Sequence, residues 1–201
     1  MTETDDIILR NDMAILRLDA AQAQGAIPAL VDILADAVAG GASVGFMDWN
    51  GPADYAAFWA GVVEDVAAGR VILFVARLAG EIVGTCQLQL VGKPNQPHRA
   101  EIAKVLVHSR ARRRGLGEAL MQAAEAAARR ANRDLLVLDT DENGAARRLY
   151  QRLGWTELGT IPRYALMPDG RDCGSTFFYK QLASTSSSIE DAQASGCAWR
   201  K

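Results

Sequence analysis

An arginine- and glycine-rich segment carries the clearest chemical signal in the sequence. Arg112–Gly117 reads Arg-Arg-Arg-Gly-Leu-Gly, and it follows closely on the apolar residues Val105–Val107. A helix that begins here presents free backbone N–H groups and the positive end of its dipole to an anion. Gly115 and Gly117 have no Cβ, so the backbone can approach a phosphate closely. The segment therefore predicts an anion-binding site, with a plain solvated turn as the alternative.

Two common phosphate-binding loops do not fit this segment. A Walker loop needs a lysine followed by serine or threonine after its glycines, and no such pair follows Gly117. A Rossmann fingerprint needs a third glycine, which is missing here even though Asp139 ends the next predicted strand. Both motifs are therefore excluded as the explanation of the segment.

A second motif lies downstream, at the spacing expected of one helix and the glycine that ends it. Residues 143–155 read N-x-x-A-x-x-x-Y-x-x-x-G-W. Together with R-x-x-G-x-G over residues 112–117, this pattern resembles the GNAT superfamily of acyl-CoA-dependent N-acetyltransferases. The resemblance covers roughly residues 71–182 and implies the fold of that superfamily, with acetyl-CoA as co-substrate.

Four segments that lie apart from the cofactor motif resemble the tabtoxin-resistance acetyltransferases of this superfamily, which act on a small β-lactam amino acid toxin. The four segments are Gly41–Met47, Lys93–Glu101, Leu138–Thr140 and Pro168–Arg171. An amino acid acceptor presents a carboxylate, for which Lys93, Arg99 or Arg171 is the expected partner. Its ammonium needs a carboxylate, for which Glu101 or Asp139 is expected.

The superfamily resemblance also implies how acetyl-CoA is held. The pantetheine arm pairs like an extra strand with main-chain groups, the pyrophosphate lies against the helix N-terminus, and flanking arginines add charge. Asn143 contacts the pantetheine or the pyrophosphate, or else it caps the following helix. The predicted cofactor-binding residues are Leu106, Val107, Arg112, Arg113, Arg114, Gly115, Leu116, Gly117, Glu118 and Asn143.

Glu101 is the first candidate for the base that acetyl transfer requires. An alkyl ammonium has a pKa of about 10 and is a poor nucleophile at neutral pH until a base removes its proton. Glu101 lies at the start of the predicted strand 100–107, where alternation places it in one apolar row with Val105 and Val107. The resemblance favours the base, and an ion pair with Arg99 or Lys104 is the alternative.

Asp139 and Tyr150 complete the predicted catalytic set. Asp139 ends a short apolar run, where it acts as a base or binds substrate unless it only caps the turn into the next helix. The resemblance places Tyr150 near the cofactor sulfur, where it protonates the departing thiolate. A buried tyrosine with an ordinary hydrogen bond is the alternative for Tyr150.

These residues depend on a mixed α/β set of elements. Apolar periodicity predicts helices over 27–38, 54–68, 115–131 and 143–153 and strands over 14–18, 71–78, 81–91, 100–107, 135–139, 156–161 and 176–182. Pro28 is expected in the first turn of the first helix, where its missing N–H costs little. The prediction is a single GNAT-type domain over residues 1–182, in which about four helices flank a mostly antiparallel sheet of about seven strands. Residues 183–201 are expected to be a flexible tail.

The amino-acid composition narrows the class of protein further. The chain has 201 residues, of which 49% are hydrophobic and 23% charged, as expected of a globular domain. A net charge of −2 does not favour nucleic acid, and no apolar run approaches the roughly 20 residues of a membrane span. Three scattered cysteines predict a cytoplasmic protein without disulfides, and two histidines without metal-ligand spacing predict no metal.

The resulting expectation is an enzyme that acetylates the amine of a small amino acid-like molecule, with a monomer and a homodimer equally open. Two alternatives remain at this point. One is acetylation of a protein N-terminus or lysine, and the other is an acyl-CoA-binding regulatory module without turnover. The presence of both Glu101 and Tyr150 favours an enzyme over the regulatory module.

Overall fold

The computed structural model describes residues 7–10, 12–144 and 146–183, so the predicted tail lies outside the described residues except for Ala183. Eight strands and four α-helices occur in this part of the chain, and no helix in it is long and apolar enough to cross a membrane. In chain order they are β1 (Ile7–Arg10), β2 (Met13–Leu18), α1 (Ala20–Ala39), α2 (Pro52–Ala67), β3 (Val71–Leu78), β4 (Glu81–Leu90), β5 (Arg99–Val107), α3 (Leu116–Arg130), β6 (Leu135–Asp141), α4 (Ala146–Arg152), β7 (Thr156–Leu166) and β8 (Asp172–Gln181).

All eight strands form one sheet in the order β1-β2-β3-β4-β5-β6-β8-β7. Every neighbouring pair is antiparallel except β5 and β6, which are parallel and are connected through α3. The predicted GNAT-type fold with a mostly antiparallel sheet is therefore confirmed. The described sheet has one strand more than the seven predicted, because β1 pairs with β2.

Helices cover both faces of the sheet and create two apolar cores. On one face, Leu30 of α1 and Trp59 of α2 pack in one cluster with Leu73 and Val75 of β3. On the other face, α3 and α4 pack against β4, β5, β6 and β8 in a second cluster that includes Leu120 and Phe178. We call these the α1/α2 face and the α3/α4 face of the sheet.

A β-bulge in β5 changes which side chains share a face. Ala103 lies opposite Gln87 of β4, but Leu106 lies opposite Thr85, so β5 contains one extra residue between these pairs. Lys104 within the bulge has a φ of 51°, in the left-handed region. The alternation that the sequence predicts for β5 therefore stops at this point.

The predicted row of Glu101 with Val105 and Val107 is consequently wrong. Val105 and Val107 pack against the core of the α3/α4 face. Glu101 lies opposite Gln89 of β4, and Gln89 in turn lies opposite Val71 of β3. Val71 belongs to the core of the α1/α2 face, so Glu101 is on that face. Glu101 is thus on the opposite side of the sheet from the two valines, because an inserted residue reverses the alternation.

Other element boundaries also differ from prediction, by the most residues at the start of α1 and at the end of β7. α1 begins at Ala20 rather than at residue 27, since Asp19 caps it in a reciprocal pair of hydrogen bonds with Gln22. Pro28 therefore lies inside α1, not in its first turn. β7 continues through Pro162 to Leu166, which is possible because β7 is the edge strand and needs no N–H partner on its outer side.

A buried ion pair fastens α3 to the end of the sheet. The Lys180 Nζ donates to both carboxylate oxygens of Glu125, at 2.8 and 2.7 Å, and to the carbonyl oxygen of Leu153 at 2.6 Å. The Trp155 indole N–H also donates to Glu125, at 3.0 Å. The buried Glu125 thus satisfies one buried donor, the Trp155 indole, and one largely buried donor, the Lys180 ammonium, both from segments that follow α4.

Replacing Glu125 with alanine is expected to lower the free energy of unfolding by about 3–5 kcal/mol, because Lys180 would remain buried without its partner. The matched control is Asp65→Ala, which breaks the exposed ion pair of Asp65 with Arg70 and should cost less than about 1 kcal/mol. Denaturant unfolding at neutral pH measures both. Equal losses for the two variants would show that the Glu125 pair does not stabilise the fold.

Candidate active site

The site begins where β5 and β6 separate. Residues Arg99–Glu101 of β5 pair with residues Leu135–Val137 of β6. No further pairing between the two strands occurs in the described part of the chain. Beyond that point a cleft of about 480 Å³ lies between them. Its walls come from the end of β5 (Val105–Val107), the start of α3, the end of β6 and α4. The divergence leaves the main chain of β5 facing the cleft, available to an extended ligand.

The N-terminus of α3 opens into this cleft. Gly115 is its N-cap residue, with a φ of 83°, and supplies no side-chain cap. The hydrogen-bond ladder of α3 starts with the N–H of Ala119, which donates to the Gly115 carbonyl at 3.0 Å. The N–H groups of Leu116, Gly117 and Glu118 precede that bond and are therefore free to bind an anion.

Most of the predicted cofactor residues lie together along this cleft. The lining residues among them are Leu106, Val107, Arg112, Arg113, Gly115, Leu116, Gly117 and Glu118. Arg114 and Asn143 are exposed and are not among the residues that line it. The backbone N–H of Asn143 donates to the Asp141 carboxylate at 2.8 Å, so Asn143 stabilises the turn between β6 and α4.

The side chain of Arg112 is held in place by contacts with β5 and α1. Its Nε donates to the carbonyl oxygen of Val107 at 3.0 Å, and its Nη2 lies 3.4 Å from the Asp36 carboxylate of α1. Burial raises the pKa of Asp36, but hydrogen bonds from Ser109 and the charges of His108 and Arg112 outweigh it and keep the pKa below its usual value. Asp36 therefore remains ionised and keeps Arg112 against the mouth of the cleft.

Tyr150 lies on α4, on the α3/α4 face, and is 4% exposed. Its ring packs against Trp155 and Phe178, with centroids 6.2 and 5.6 Å apart. No hydrogen bond to its hydroxyl is found among the described residues. Burial raises the pKa of Tyr150, and the charges of Cys86 and Asp139 raise it further, so the phenol keeps its proton at neutral pH. The alternative of a tyrosine with an ordinary hydrogen bond is therefore not what the structure shows.

The two predicted carboxylates lie on the opposite face of the sheet from Tyr150. Glu101 is at the last paired position of β5, directly before the cleft opens. No carboxylate–cation contact within 4.0 Å involves it in the described part of the chain, so the predicted ion pair with Arg99 or Lys104 is absent there. Asp139 accepts a short hydrogen bond from the Ser175 hydroxyl of β8 and lies within β6, so it does not cap α4.

Lys104 is a residue of this site that sequence reasoning missed. The sequence indicates Lys104 only as an ion-pair partner of Glu101, whereas the bulge turns its side chain to the α1/α2 face, with its Nζ 5.2 Å from the ring centroid of Phe58. A bulge is a property of strand register, and no composition or periodicity signal in β5 indicates it. The one feature of the sequence that indicates a role for Lys104 is the presence of a lysine within an otherwise apolar strand.

The predicted acceptor loops are only partly brought together. The Ser43 hydroxyl donates to the carbonyl of Leu166 at 2.8 Å, and the N–H of Asp48 donates to that of Pro168 at 3.0 Å. The segment 41–48 is thereby joined to the β7–β8 turn. The loop before β5 instead bonds to the α3–β6 connection through the His98 carbonyl, at the end of β5 away from the cofactor cleft. Among the described residues, no hydrogen bond joins the loop that contains Lys93 to segment 41–48 or to the β7–β8 turn.

The split parallel strands, the uncapped helix N-terminus and the buried tyrosine together define an acyl-CoA-dependent transferase. The acetyltransferase (GNAT) family matches residues 47–155, more than half of the chain, and the chain belongs to this family. It is accordingly an acetyl-CoA-dependent N-acetyltransferase.

Solved structures of similar proteins agree in fold. A ribosomal-protein-alanine N-acetyltransferase from Brucella melitensis is 25% identical, with a TM-score of 0.69 over 84% of this chain and 99% of that one. YncA from Salmonella typhimurium, provisionally assigned as an acetyltransferase and solved with acetyl-CoA, is 22% identical, with a TM-score of 0.69 over 90% and 99%. A protein provisionally assigned as a phosphinothricin N-acetyltransferase is 18% identical, with a TM-score of 0.68 over 86% and 99%.

Replacing Gly117 with valine is expected to weaken acetyl-CoA binding by about 10-fold or more, through loss of charge-assisted hydrogen bonds at the helix N-terminus. A Cβ here lies 3.3 Å from Leu149 Cδ2, so a larger side chain has to project into the cleft or displace α4. Calorimetry measures the affinity, with Gly117→Ala as a milder variant. Gly92→Val, where nothing lies within 4 Å, is the control. Wild-type affinity in a folded Gly117→Val protein would contradict the assignment of the cleft.

Proposed function

We propose that this enzyme transfers the acetyl group to the amine of a small amino acid-like acceptor, with a β-lactam amino acid toxin as the specific candidate. The observation that carries the proposal is the junction of segment 41–48 with the β7–β8 turn, which covers the acceptor side of the sheet. A protein substrate needs an open groove there. Acetylation of the amine would abolish toxicity, so the proposed role is resistance.

In this proposal, the cofactor and the acceptor bind to different faces of the sheet. The cofactor enters from α3, with its pyrophosphate at the helix N-terminus and its pantetheine beside the exposed main chain of β5. The acceptor approaches from the α1/α2 face, where Glu101 and Asp139 lie. The amine and the thioester then meet at the point where β5 and β6 separate.

Glu101 is the proposed base. It removes a proton from the acceptor ammonium, directly or through a water molecule, and the free amine attacks the thioester carbonyl carbon. A C–N bond forms, and the electron pair of the C–S bond leaves with sulfur. Asp139 binds the same ammonium or relays its proton, since Ser175 holds its carboxylate in place.

Tyr150 is the proposed acid on the opposite face. Burial keeps its phenol protonated, and with no protein acceptor for its hydroxyl in the described part of the chain, that proton is available to the departing thiolate. Transfer of the proton gives the free thiol of CoA, and solvent later restores the tyrosine. Base and acid thus act from opposite sides of the reacting bond.

The variants Tyr150→Phe and Glu101→Gln are each expected to lower kcat by about 10²–10⁴-fold while acetyl-CoA affinity changes little, because each removes one proton-transfer group. Tyr164→Phe and Glu64→Gln are matched controls on exposed positions. Steady-state kinetics with the best acceptor measures the effect. Wild-type turnover in either folded variant would remove that residue from the mechanism.

Protein N-terminal acetylation is the second candidate, favoured by the activity named for the Brucella melitensis relative. A screen of free-thiol release from acetyl-CoA separates the two. One arm contains amino acid analogues, including tabtoxinine-type β-lactams and phosphinothricin, and the other contains peptides with a free N-terminal alanine or an internal lysine. We expect turnover in the first arm. Turnover of the peptides alone would establish a protein acetyltransferase instead.

A further inference from the structure

The bulge in β5 places the cation of Lys104 on the same face of the sheet as Glu101 and Asp139, and the charge of Asp139 acts on it. The Lys104 Nζ lies over the Phe58 ring and 3.9 Å from the position a Cβ would take at Gly45. Segment 41–48 and α2 therefore enclose it, and its side chain is only partly exposed. Phe46 of the same segment packs edge-on against Phe58, with ring centroids 5.5 Å apart, which fixes the enclosure.

The ammonium of Lys104 is not neutralised by the protein. In the described part of the chain, no carboxylate lies within 4.0 Å of its Nζ and no acceptor makes a hydrogen bond with it. Burial lowers the pKa of Lys104, and the charge of Asp139 partly offsets this effect. The three donors of this ammonium have no fixed partner among the described residues, so an anionic group that enters the site can form charge-assisted hydrogen bonds with them.

The cationic residues that the sequence predicts as partners of the acceptor carboxylate are less suited to bind it. Arg171 is engaged by Asp169, with its Nε 2.7 Å from the carboxylate. Lys93 and Arg99 precede Glu101 in the chain, on its side away from the cofactor cleft, although Arg99 shares the face of Glu101; Lys104 lies beyond Glu101, toward the cleft. Lys104 is the cation that the register of β5 places three residues beyond Glu101 and on the same face.

We propose that Lys104 binds the carboxylate of the acceptor and makes the enzyme select amino acids over amines that lack one. This inference rests on the proposed function, because only a small zwitterion brings an ammonium to Glu101 and Asp139 and a carboxylate to Lys104 at once. The Phe58 ring lies 5.2 Å from the ammonium nitrogen and keeps it on the acceptor side of the sheet through a cation–π contact.

The test compares Lys104→Met with wild type on matched pairs of acceptors, each a free amino acid and its carboxamide. Methionine keeps an unbranched apolar side chain only one atom shorter beside Phe58 and removes the charge. We expect KM for the free acid to rise about 10- to 100-fold, as for loss of a charge-assisted hydrogen bond, while KM for the carboxamide stays the same. Lys93→Met is the control and should change neither.

A second readout is independent of turnover. Calorimetric titration of the free amino acid into the enzyme saturated with CoA should show the same loss of affinity in Lys104→Met. Equal effects of the variant on acid and carboxamide, or none on either, would overturn the inference while leaving the proposed function intact. A wild-type enzyme that acetylates peptides but no amino acid would overturn both.

Discussion

The separation of β5 from β6 is the constraint on which the rest of the site depends. Parallel strands normally remain paired, but here pairing ends at Glu101 and Val137. The gap exposes main-chain groups that an extended cofactor arm can use, and α3 begins at its mouth with an uncapped N-terminus. The cleft is lined from both faces of the sheet, by Val44 on the α1/α2 face and by Leu149 on the α3/α4 face. Each later feature of the site is positioned relative to this opening.

The β-bulge at Lys104 is the second feature of β5 that determines the arrangement of the site. It lets Val105 and Val107 pack under α3, while Lys104 joins Glu101 on the other face. Without the extra residue, strict alternation would leave Lys104 on the face of Ile102, inside the apolar core. One inserted residue thus places Val105 and Val107 on one face of β5 and Glu101 and Lys104 on the other.

The fold class and the cofactor loop could be predicted because both are local in the sequence. Glycine spacing at 115 and 117, and the helix formers that follow, specify a helix N-terminus without knowledge of tertiary contacts. The bulge, the joining of segment 41–48 to the β7–β8 turn and the distant position of Lys93 could not be predicted. They arise from strand register and long-range hydrogen bonds, which periodicity does not encode. The start of α1 was recoverable, since Asp19 and Gln22 form a capping pair in the sequence.

Amide hydrogen exchange with and without acetyl-CoA tests the account most directly. If the opening between β5 and β6 holds the cofactor, binding should slow exchange at the amides of Val105–Val107 and of Gly115–Glu118. Exchange in the loop 92–98, at the far end of β5, should remain unchanged. Protection of that loop or of the edge strand β7, with none at Gly115–Glu118, would contradict the account.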